Sequence, residues 1–138
     1  MKKVLFLLGM FWSLATVAQV TIEPFPFSVG EAITVTVDAT SGDTDCNGFT
    51  APSKVYLHSG IGTDVDPWGY SVVGNWGQDD GMGQMTDNGN GTWSITFTPE
   101  TYYNLSPTQA ANATKMGMVF RNESGSQELK DNGCSDFF

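Results

Sequence analysis

The chain has 138 residues, six of them Lys or Arg and fifteen Asp or Glu, for a net charge of −9, with 40% hydrophobic and 12% aromatic residues. So acidic a surface repels phosphate backbones and anionic lipid, which disfavours nucleic-acid binding and adhesion to such membranes. The apolar and aromatic content argues against disorder and suits one domain with one core.

The N-terminus carries Lys2 and Lys3, then an apolar run from Val4 to Val17, with small residues at Thr16 and Ala18. This is the three-part pattern of a cleavable signal peptide over residues 1–18. The run is short for a spanning helix, which needs about 20 residues. Export is therefore expected, to the extracellular space or the cell surface, with no membrane insertion after cleavage. Loss of Lys2 and Lys3 takes the net charge from −9 to −11. The two cysteines, Cys46 and Cys134, both follow the signal. In an exported chain one disulfide between them is the default.

Residues 19–138 read as one module of short strands and turns. Val20–Ile22 is a first strand, ended by Pro24 and Pro26. Ala32–Ala39 alternates, with Ile33, Val35 and Val37 on one face. A polar loop over 40–53 leads to a strand at Lys54–Ser59, with Val55 and Leu57 on one face and Tyr56 and His58 on the other. Gly60–Pro67 is expected to be a loop and Tyr70–Val73 a short strand. A short strand is expected at Met82–Met85. Asn88–Gly89 and Asn90–Gly91 signal a hairpin turn into a strand over Thr92–Thr98.

One helix is expected. Ser106, Pro107 and Gln109 supply an N-cap, a proline at the first helical position and a glutamine three residues after the cap. Strands follow at Lys115–Arg121 and Gln127–Lys130, and Asp136–Phe138 reads as a last strand cut short. The fold class is therefore all-β: an immunoglobulin-like antiparallel sandwich with one short helix. A monomer is expected.

The catalytic inventory is thin. His58 is the only histidine, and a lone histidine on a strand is usually packed or hydrogen-bonded. No strained nucleophile turn and no zinc-type Cys/His spacing is visible. No catalytic residue, no metal site and no cofactor is expected. Calcium at Asp64 and Asp66, at Asp79 and Asp80, or at Asp87, Asn88 and Asn90 is a weaker alternative to turn-forming roles.

Aromatic placement is more informative. Trp68, Tyr70 and Trp76 sit in or beside polar, Gly-rich loops. Rings so placed serve as platforms for the C–H faces of a pyranose, with neighbouring amides and carboxylates for the hydroxyls. They serve equally as plugs closing the end of a small sandwich. Trp93, inside a strand, is assigned to the core.

The stretch Lys115-Met116-Gly117-Met118-Val119-Phe120-Arg121-Asn122-Glu123-Ser124-Gly125, continuing through Lys130-Asp131-Asn132-Gly133 to Ser135-Asp136-Phe137-Phe138, resembles the ending of β-sandwich modules in secreted Bacteroidetes proteins. Val55-Tyr56-Leu57-His58-Ser59-Gly60 resembles their early strand, and Gly74-Asn75-Trp76-Gly77 their middle motif. Such modules accompany α-amylase-type enzymes and outer-membrane starch-utilisation proteins. The resemblance implies a non-catalytic, extracellular carbohydrate-binding module for an α-glucan such as starch. Its oligo- or polysaccharide ligand would be held by Trp68, Tyr70 and Trp76, with Asn75, Lys130 and Asp131 as polar partners. A ligand-free spacer or adhesion domain, or an accessory domain of a secreted glycoside hydrolase, is the alternative.

Overall fold

The computed structural model describes residues 19–40, 48–49 and 51–138, apart from the Asn132 side chain. The expected signal peptide, Cys46 and most of the 40–53 loop lie outside the described residues. Eight strands appear in chain order: β1 Val20–Glu23, β2 Ile33–Asp38, β3 Tyr56–Gly62, β4 Ser71–Val73, β5 Thr86–Asp87, β6 Thr92–Phe97, β7 Lys115–Arg121 and β8 Glu128–Leu129. Two short helices, α1 Pro99–Tyr102 and α2 Pro107–Asn112, join β6 to β7.

All pairings are antiparallel and form two four-stranded sheets, β1-β2-β6-β5 and β4-β3-β7-β8. This is the strand order of an immunoglobulin-type sandwich, with β4 as an added edge strand. Alternation decides which faces meet. Ile33, Val35 and Val37 of β2 are fully buried, and their β6 partners are Phe97, Ile95 and Trp93. From the second sheet come Leu57 and Ile61 of β3, Met116, Met118 and Phe120 of β7, and Leu129 of β8. Beneath them a buried bond joins the Tyr103 and Ser59 hydroxyls at 2.6 Å.

The β5–β6 hairpin turns at the expected dipeptides. Gly89 and Gly91 take φ of 80° and 83°, the region open to glycine, and the Asn88 amide donates to the Thr92 carbonyl. The expected helix forms as α2 with its full capping box. The Gln109 amide donates to Ser106 Oγ, and the Ser106 amide donates to Gln109 Oε1.

Four expectations are corrected. There are two short helices rather than one: Pro99 does not only end β6 but opens α1, whose Tyr103 amide closes the turn on the Pro99 carbonyl. Gly60–Gly62 are strand rather than loop, because each pairs with β7. That strand begins at Tyr56, two residues later than expected. The strand expected at Met82–Met85 is instead Thr86–Asp87, with only an isolated bridge from Gln84 to Tyr56. Asp136–Phe138 contributes one bridge, Phe137 to Met118. Cys134 carries no free thiol. Its expected partner Cys46 lies outside the described residues.

Candidate functional site: an aromatic face on the second sheet

The outward face of the second sheet is set by register. Leu57, Ser59 and Ile61 of β3 turn inward, so Tyr56, His58 and Gly60 turn outward, opposite Arg121, Val119 and Gly117 of β7. Gly60 and Gly117 form one rung without side chains, and Trp68 fills the space. A Cβ on Gly60 would come within 2.4 Å of Trp68 Cε3, and one on Gly117 within 2.6 Å of its Nε1. The indole therefore lies flat on the sheet over this pair.

The loop that delivers Trp68 is organised by Asp66. Its carbonyl accepts from the Thr63 and Gly69 amides at 2.9 and 3.2 Å, and its carboxylate from the Trp68 amide at 3.3 Å. A turn role for this residue accounts for its position.

His58 is half-buried on the next rung. Its ring lies 5.8 Å from that of Trp68, tilted by 30°, and 5.4 Å from that of Trp76, at 87°. Trp68 and His58 thus make a floor and Trp76 a wall. Trp76 is 45% exposed, an unusual cost in water for so large a ring. Burial and the nearby Arg121 charge hold the His58 pKa below its ordinary value. Its Nδ1 is buried beside Gly74, whose backbone pulls the pKa the other way but does not offset that burial. The neutral imidazole is thereby favoured, which keeps this face apolar at its centre.

Arg121 holds the wall in place. It is fully buried, and its guanidinium stacks 4.5 Å over the Tyr56 ring. Nη2 donates to the carbonyls of Asn75 (2.7 Å) and Gln78 (3.1 Å), and Nη1 to those of Asn122 (3.0 Å) and Glu123 (3.3 Å). One side chain so ties the Trp76 loop to the β7–β8 turn, where Trp76 Nε1 rests against Gly125. Planar guanidinium geometry suits several fixed carbonyls, which a lysine ammonium could not match.

Polar groups border the rings. Asn75 Nδ2 donates to Asp80 at 2.7 Å, and the other Asp80 oxygen accepts from the Met82 amide at 2.9 Å. These bonds hold the Asp80 carboxyl below its usual range. Asp79 takes a salt bridge from Lys54 at 2.6 Å and a short bond from the Tyr56 hydroxyl, which lower its pKa in that order. On the β8 side, Lys130 lies 3.7 Å from Glu128 and 3.6 Å from Asp136. Glu128 shares the Arg121 rung, so this charged group borders the same outward face.

Of the six residues singled out for a sugar, Trp68, Trp76 and Asn75 come together, and Lys130 borders their sheet face across β7. Tyr70 does not join them: it is half-buried and packs against the core. Asp131 is exposed at a bridge to Ser135, whose carbonyl its amide meets at 2.9 Å. His58, Arg121 and the Gly60–Gly117 rung were not singled out. Outward glycines on two neighbouring alternating strands are the signal that could have shown a ring lying there. Among the described residues no group of three or more His, Cys, Asp or Glu is arranged to hold a metal ion. No helix among them is long and apolar enough to cross a membrane. No family model and no curated protein matches this chain.

Proposed function

We propose that the chain is an extracellular, non-catalytic carbohydrate-binding module for an α-glucan such as starch, of the kind found in secreted Bacteroidetes proteins. The observation that carries this reading is the pairing of Trp68 and Trp76 around His58 on an open sheet face. A flat ring and an upright ring suit the apolar faces of successive glucose units. The Asn75–Asp80 pair and the Lys130 group offer donors and acceptors for hydroxyls. Export over residues 1–18 would place the face among extracellular polymers, and a Cys46–Cys134 bridge would suit that compartment. Single-site affinity is weak on this account, because each hydroxyl exchanges water for protein at little net gain.

Affinity electrophoresis through starch-containing gels tests the reading. The protein should be retarded, and Trp76→Ala should abolish the retardation while leaving the fold intact. Equal mobility in gels with and without starch would remove the proposal.

A second reading has one observation of its own. Trp68 covers Gly60 and Gly117 as a side chain would cover any bare sheet. A ligand-free spacer needs no more than that from Trp68, but it leaves the exposure of Trp76 without a role.

A further inference from the structure

His58 is placed to do more than separate two indoles. Its ring lies 5.8 Å from that of Trp68 and 5.4 Å from that of Trp76, so a sugar spanning both would cover it. The two ring nitrogens have different surroundings. Nδ1 is buried against Gly74, where a Cβ would come within 2.7 Å of it and where φ of 123° suits glycine. The Gly74 backbone draws a proton to that nitrogen. In the neutral ring the proton therefore sits on Nδ1, and Nε2 is left as an acceptor. Nε2 has no bonding partner among the described residues and is not cut off from solvent.

The charges around the ring are accounted for. Arg121 of β7 opposes a positive charge on it, and Asp136 favours one. Asp136 already lies 3.6 Å from the Lys130 ammonium. In the two loops that carry the tryptophans, Asp66 and Asp80 accept backbone amides and Asp79 is paired with Lys54, while Asp64 is exposed. The Tyr56 hydroxyl, on the same strand as His58, donates to Asp79.

We propose that His58 is a ligand-binding residue of this face, that its Nε2 accepts a hydrogen bond from a glucose hydroxyl, and that the sugar is released when the imidazole takes up a proton. The inference rests on the glucan reading above and adds to it an orienting contact and a regulation by acid. Protonation turns Nε2 from acceptor to donor. It also sets a cation beneath a ligand that keeps water away, next to the Arg121 charge, and such a charge is costly to cover. A histidine that only packed between the indoles would give the bound sugar no such dependence.

The probe is maltoheptaose, and the reporter is the single histidine, followed through the nitrogen NMR signals of its ring. In the free protein at neutral pH, Nε2 should be the unprotonated nitrogen. At saturating sugar its signal should shift, and His58 should titrate at lower pH than in the free protein. Affinity should fall by about three- to tenfold as pH drops through that titration, over a range in which circular dichroism shows the fold unchanged. His58→Gln, whose amide oxygen can stand near the place of Nε2, should keep most of the affinity and lose its acid dependence. His58→Phe, a ring without an acceptor, should bind about three- to tenfold more weakly at neutral pH and show no acid dependence. Sugar that binds without moving the His58 signals or titration overturns the inference and leaves the glucan reading standing. So does His58→Phe binding as tightly as the unaltered protein. No binding of maltoheptaose by the unaltered protein at any pH overturns both.

Discussion

His58 is the only histidine and stands between two indoles, so its titration reports on the face directly. Its folded pKa lies below the ordinary value because burial and Arg121 disfavour the imidazolium. The unfolded chain therefore binds the proton more readily. Stability is full above the ordinary histidine pKa of about 6.5 and falls as pH drops through it towards the folded value. Thermal unfolding from pH 7.5 to 5 should show this loss, and His58→Gln should flatten it. A second prediction at this scale concerns the bare rung. Gly117→Ala would place a methyl 2.6 Å from the Trp68 ring. It should cost about 1–3 kcal/mol by overpacking, read from denaturant midpoints, and shift Trp68 emission to the red.

At the scale of elements, the strands with clean alternation were legible, and β7 has the boundaries its sequence suggests. α2 was legible because a capping box is local chemistry that no tertiary contact overrides. Ser106→Ala should accordingly cost about 1 kcal/mol in chemical denaturation. α1 was not legible, since its N-cap Thr98 makes no side-chain bond and four residues give no helical period. The end of β3 was missed for a different reason. Gly60-Ile61-Gly62 reads as loop until its partner is known, and the partner, Lys115–Gly117 of β7, lies far along the chain. Loop tryptophans could be read as candidate contacts, but not the inward packing of Tyr70, which depends on how the 63–70 loop folds back over the sheet. Arg121 illustrates the same limit: an outward strand position gives no hint that two loops will close over it. Arg121→Lys should keep the charge but lose most of the four carbonyl bonds. The expected destabilisation is about 2 kcal/mol or more, with faster hydrogen exchange confined to residues 74–80 and 122–126.

For the whole molecule, the core holds the two sheets together and one outer face carries the rings. The proposed Cys46–Cys134 bridge would close a loop of some 88 residues and stabilise by about 4–5 kcal/mol in the chain-entropy model. Cys46→Ser should lower the melting temperature without changing the protein's mobility in starch gels. Glucan binding at the Trp68–His58–Trp76 face is read from tryptophan fluorescence on titration with maltoheptaose. Trp93, buried in the core, serves as the internal reference. Saturable quenching at millimolar sugar is expected, and it should be lost in Trp68→Ala plus Trp76→Ala. Emission unchanged by the sugar, or quenching that survives the double substitution, would contradict it.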